Sequence, residues 1–157
     1  MVRIIIRGKS QMVPKEESRE IFSFFATKLL GKRLSKNVSV YVTFNPKLFK
    51  EEQSYGYVMP IGAARYPRKF SVKIDAQLNS YMTILTIAHE MTHVKHYCRG
   101  ELRDIKGYPK KWLGEIYDES VEYKDLPWEK DALKMEQILY QAWIEYKGSN
   151  NGKGTFD

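Results

Sequence analysis

A single cysteine, Cys98, occurs in the 157 residues. One thiol cannot close an intramolecular disulfide or supply a four-cysteine zinc cluster, and its presence alone suits a reducing cytoplasm. Long apolar runs are missing as well. At the N-terminus only Ile4, Ile5 and Ile6 stand together between Arg3 and Arg7, too short for a signal-peptide core, and no window approaches a membrane span. The expectation is a soluble cytoplasmic protein with no membrane partner. Acidic residues are outnumbered, 19 against 26 lysines and arginines, for a net charge of +7, so nucleic acid is a conceivable partner. The cations concentrate locally only at Lys28 to Lys36, Arg65 to Lys73 and Lys106 to Lys111, without aromatic interleaving or a recognisable nucleic-acid fold motif. A solvated basic surface is the simpler expectation. Histidine is scarce too, and its three copies, His89, His93 and His96, all fall between Ala88 and Tyr97.

What is present describes a folded domain. The composition is 43% apolar and 13% aromatic, enough to fill a core in a chain of this length. We expect one α+β domain over residues 1–147 and a flexible, glycine-rich tail over 148–157, with no internal repeat. Val2 to Arg7 reads as a strand ended by Gly8. Glu16 to Leu30 reads as an amphipathic helix stopped by Gly31. Val38 to Phe44 alternates apolar and polar residues and is rich in β-branched and aromatic side chains, so a strand is expected, closed by Asn45-Pro46. The stretch Tyr55 to Tyr66 and the segment Phe70 to Asp75 read as two paired strands. Asn79 or Ser80 offers an N-cap for a helix through Cys98, with Gly100 just beyond it. Gly107 to Leu126 shows no clear period and reads as a long loop or short irregular helices, before a final helix from Asp125 or Pro127 to about Tyr146.

The chemistry lies in the Asn79–Cys98 helix. His89, Glu90 and His93 form an HExxH motif within AHEMTHVKHYC. Residues four apart sit one turn apart on a helix, so two imidazoles can reach one metal ion, with the glutamate beside them to take a proton from water. At about 100° per residue His89, His93 and His96 share a stripe flanked by Glu90, while Ile84, Ile87, Met91, Val94 and Cys98 lie opposite. Two histidines and a glutamate on an otherwise apolar helix need a compensating partner, because uncompensated polar burial is costly. A metal ion supplies one.

His96 lies about 4.5 Å further along the axis than His93, too far to share their metal on a straight helix, so a contact with a ligand residue or with substrate is expected of it. Cys98 points away and receives no role. The three histidines are then accounted for, and catalytic zinc usually has three protein ligands, so the third should be acidic. Glu115, Asp118, Glu119, Glu122, Glu129 and Asp131 are the candidates. Glu129 leads, because it falls in the first turn of the last helix at the margin of a stripe formed by Ala132, Met135, Leu139, Ala142, Trp143 and Tyr146. Glu122, Glu119 and Asp131 remain open.

AHEMTHVKHYCRGEL followed by PWEKDA resembles small zincin-type metallopeptidases of bacteria and phages, similar in layout to gluzincins and to ImmA/IrrE-type peptidases. The resemblance spans about 50 residues, from Ala88 to the last helix. It implies a zincin-like fold, with a small, mostly antiparallel sheet packed on the HExxH helix and further helices N- and C-terminal to it. It also implies Zn²⁺ bound by His89, His93 and Glu129, with Glu90 as catalytic base acting on a protein or peptide substrate, in a host cytoplasm if the chain is phage-encoded. SprT-like peptidases are similar around the motif, but their downstream histidine and cysteine-rich zinc ribbon have no counterpart here. For the oxyanion donor, Tyr108, Tyr117, Tyr123 and His96 are candidates. The segment Phe70 to Asp75 is expected to pair with an extended substrate if it forms a sheet edge.

Overall fold

Alternating apolar residues and well-placed turns build the larger of two sheets. A computed structural model describes residues 1–105 and 108–156. Its first elements are β1 (Arg3–Arg7), α1 (Lys15–Ser35), β2 (Ser39–Asn45), α2 (Leu48–Glu52), β3 (Gly56–Pro60) and β4 (Lys69–Asp75). The four strands lie in the order β1-β2-β4-β3. Inward-facing Ile6, Val40, Val42, Phe44, Phe70, Val72 and Ile74 are buried, against Ile21, Phe22 and Phe25 of α1 in the same apolar cluster. Each such large side chain taken fully out of water contributes roughly 1.5 to 3 kcal/mol.

Two expectations about this sheet need correction. It is not mostly antiparallel, because β1 with β2 and β2 with β4 pair in parallel and only β3 with β4 runs antiparallel. Parallel neighbours need a long crossover, and α1 supplies the one between β1 and β2. Nor does the segment Phe70 to Asp75 form an edge. It lies in β4, flanked by β2 and β3, and the edge strand is β3. Gly31 also acts differently from the expected stop. It leaves helical geometry at φ 81°, ψ 163° and kinks α1, which continues to Ser35.

The HExxH helix is α3 (Ser80–Cys98), within the expected bounds. Asn79 caps it, its side-chain oxygen accepting the Met82 N–H at 2.8 Å. Replacing Asn79 by Ala is expected to cost about 1 kcal/mol, visible as a lowered denaturation midpoint with an unchanged m-value. Gly56 lets β3 approach α3 closely, since a Cβ there would meet the Thr86 methyl at 2.8 Å. Thr86 is one turn ahead of Glu90, so this contact fixes the edge strand beside the motif.

Part of the expected loop over Gly107 to Leu126 needs correction. Tyr108–Trp112 (β6) and Glu115–Tyr117 (β7) are strands, which with β5 (Leu102–Ile105) form a three-stranded antiparallel sheet. Trp112 pairs with Glu115 across a two-residue turn. Leu113 and Gly114 there both take positive φ, 47° and 91°, the tight-turn geometry that Asn-Gly usually supplies. After a 3₁₀ turn at Tyr123–Asp125, α4 spans Pro127–Phe156. It passes the expected end near Tyr146, and no proline occurs there to interrupt it. Trp128, Ala132, Leu139 and Trp143 are its buried apolar residues among those described, and Glu129 is buried with them. Tyr81 of α3 meets Tyr140 of α4 with ring centroids 4.8 Å apart. Among the described residues no helix is long and apolar enough to cross a membrane.

Candidate metal centre

α4 covers the histidine stripe of α3 and brings carboxylates to it. His89 Nε2 and His93 Nε2 lie 3.0 and 3.2 Å from Glu129 Oε1. One donor atom from each of these residues falls within 4.8 Å of the others. Glu129 sits in the first turn of α4, where the helix N-terminus favours a negative charge. Burial alone would raise its pKa, but hydrogen bonds to His89 and His93 hold the carboxyl well below the usual range. Of the six acidic candidates it alone meets both histidines. Glu115, Asp118, Glu119 and Glu122 are exposed. Asp118 is engaged by Ser120, and Glu122 pairs with Lys124 at 3.5 Å. Asp131 approaches His96 instead, with 2.6 Å between Oδ2 and Nε2.

That last contact fixes a chain of protons. The Asp131 carboxylate can only accept, so His96 carries hydrogen on Nε2. Burial depresses the His96 pKa to about 4, leaving the ring neutral near pH 7 with a bare Nδ1. This nitrogen lies 3.3 Å from His93 Nδ1, which therefore donates to it. His93 Nε2 faces Glu129 Oε1 at 3.2 Å, a pair that a proton or a metal cation can bridge. His89 is oriented in the same sense, its Nδ1 donating to Glu136 Oε2 at 2.8 Å and its Nε2 turned to Glu129. Burial lowers the His89 pKa, but hydrogen bonds to Glu129 and Glu136 outweigh it and raise the value to about 10. A proton on His89 thus partly neutralises the buried Glu129. Two imidazole nitrogens and one carboxylate oxygen, each turned by a second hydrogen bond, match the donor set of a three-ligand zinc site.

Glu90 is 5% exposed and borders two hollows. One, of about 270 Å³, is walled by Val58, His93, Lys110 and Trp128. The other, of about 490 Å³, is walled by Tyr55, Met82, Leu85 and His89. Gly56 of β3, Glu90 and Tyr123 line both, so a cleft crosses the motif beside the edge strand. Burial pushes the Glu90 pKa up to about 7, against the opposing pull of His93 and His89.

No protein-family model, curated protein or solved structure matches the chain. The site's own geometry therefore carries the functional reading.

Among the candidate oxyanion donors, Tyr123 reaches the centre, donating to Glu129 Oε1 at 2.7 Å. Tyr117 points to Glu115 at 3.5 Å, and His96 is wholly buried in its proton chain. The Tyr108 side chain lies outside the described residues. Glu136 was not among the sequence candidates. Its signal was a spacing of seven from Glu129, which on a helix returns to nearly the same face two turns on.

Proposed function

We propose that the protein is a zinc-dependent metallopeptidase with a zincin-like fold, in which His89, His93 and Glu129 hold the metal and Glu90 is the catalytic base. The observation that carries this reading is the convergence of His89, His93 and Glu129, with one donor atom of each within 4.8 Å of the others, at the floor of a cleft that Glu90 also lines. A zinc ion held there would acidify water to make a nucleophile and would polarise the scissile carbonyl.

The chain's own residues do the rest. Glu90, buried and raised toward neutrality, takes the proton from the attacking water and returns it to the leaving amine, a role suited to a base poised near the working pH. The Tyr123 hydroxyl, held beside Glu129, is the donor within reach of the oxyanion that forms on the carbonyl. β3 has one free edge, on which an extended peptide can pair and be led across both hollows. A protein or peptide substrate follows from that shape.

Asp131 and Glu136 are positioning residues for the two histidines. Replacing Asp131 by Ala removes the acceptor that fixes the His96 tautomer, and zinc affinity is expected to fall about 10- to 100-fold, read by competition with a chromogenic chelator. The test of the function is hydrolysis of a fluorogenic peptide library. Activity lost to a chelator and restored by zinc supports it. Stoichiometric zinc with no hydrolysis of any peptide would make the chain a metal-bearing regulatory or adaptor protein instead.

A further inference from the structure

The face of the larger sheet turned away from α1 and α3 is a second surface. Buried and less buried residues alternate along β2 and through most of β4, and Ile6 is the buried residue of β1, so Arg3, Ile5 and Arg7 share the face that points away from the helices. The pairing register then gathers cations that are far apart in the sequence. Arg3 aligns with Ser39 and, through it, with Lys69. Arg7 aligns with Thr43 and then Lys73. Between these basic rows lies Tyr41, paired with Ile5 on one side and Ser71 on the other. Tyr57 of β3 stands beside Lys73, whose ammonium lies 5.5 Å from the centre of its ring.

Among the described residues none of the four cations forms an ion pair. Glu51 and Glu52 of α2 are near enough to influence Lys73, and Asp75, at the end of β4, is buried and bound to the Phe49 and Gln77 amides. The rows themselves carry no carboxylate. A hollow of about 270 Å³ opens between them, walled by Ile5, Arg7, Tyr41, Thr43 and Ser71. That size is close to the lower end of ligand sites, roughly 300 Å³, and suits one planar ring.

We infer that this sheet face binds single-stranded nucleic acid, with phosphates on Arg3, Arg7, Lys69 and Lys73 and unpaired bases on Tyr41 and Tyr57. Cations flanking aromatic faces are what unpaired strands need, because every base has a surface to stack and every link a charge to neutralise. A duplex keeps its bases stacked on one another and could use only the cations. An acidic peptide would leave the tyrosines and the hollow unused. Arg3, Arg7, Tyr41, Lys69 and Lys73 line neither hollow beside Glu90, and Tyr57 alone is shared with one of them, so variants at Arg7, Lys73 and Tyr41 test this surface apart from the candidate metal site.

The test is fluorescence anisotropy with labelled oligo-dT and oligo-rU of about 15 nucleotides, within the range of single-strand binding sites. Four phosphate contacts at a slope of about −0.7 each predict roughly 50-fold weaker binding on raising salt from about 50 to about 200 mM. The double variant Arg7→Glu with Lys73→Glu should bind more weakly and halve that slope. Tyr41→Leu should weaken binding about tenfold with the slope unchanged. Circular dichroism confirms folding of each variant, and Arg3→Glu with Lys69→Glu replaces any pair that fails it. Preference between the two oligonucleotides names the partner as RNA or DNA. No binding at low salt, equal binding of a duplex, equal competition by polyglutamate, or folded variants that bind like the native protein would each overturn the inference.

Discussion

Replacing Glu90 by Gln is expected to lower kcat by about 10²- to 10⁴-fold, the usual contribution of a positioned general base, while zinc stays bound. Glutamine keeps the volume and one hydrogen-bonding oxygen of the glutamate but cannot take a proton. Glu90 fits the role through its surroundings. It is buried on the polar margin of α3, beside both candidate ligand histidines and at the junction of two hollows. Its contacts do not include those that orient His89 and His93, which come from Glu136 and His96. The metal should therefore be retained. Steady-state kinetics paired with metal analysis of the same preparation checks both halves, and a variant with undiminished kcat would place the base elsewhere.

The second large effect is expected for His93→Ala. This change deletes one of the three donors and also strands His96, whose Nδ1 loses its partner at 3.3 Å. Zinc affinity should drop by more than the about 10- to 100-fold expected for the positioning residues, and activity should vanish with it. Dialysis against a mild chelator followed by metal analysis reads the loss, with circular dichroism as the check on folding. Cys98→Ala is the matching control. The thiol is buried on the far side of α3, and burial pushes its pKa up to about 11, so it offers no thiolate to the metal and zinc content should be unchanged.

Much of the site was legible because helices make geometry local. The bounds of α3, its Asn79 cap and the shared stripe of His89 and His93 all follow from residues within a few turns of each other. Glu129 was legible for a related reason, since a first-turn carboxylate at the margin of an apolar stripe is both favoured by the helix N-terminus and able to turn inward. The role of Asp131 was not. Its distance in sequence from His96 says nothing of which imidazole nitrogen it meets, and only the antiparallel packing of α3 and α4 decides that Glu129 reaches His93 while Asp131 reaches His96.

Sheets were harder for a physical reason. Alternation in VSVYVTF marks a strand and its buried face but not its neighbours, so neither the parallel order β1-β2-β4 nor the interior place of β4 could be read. Leu113-Gly114 hid the hairpin of β6 and β7, because leucine at φ 47° is not a residue that turn chemistry would suggest. The gathering of Arg3, Arg7, Lys69 and Lys73 on one face was equally invisible, since no window of sequence contains more than a pair of them.

The metal content of the purified native chain tests the central claim most directly. Plasma mass spectrometry after exchange into metal-free buffer should find about one zinc per chain, as three convergent ligands require, and added chelator should remove it in competition with a measurable affinity. A native protein that carries no zinc, and whose thermal transition does not move when zinc is added, would contradict the account.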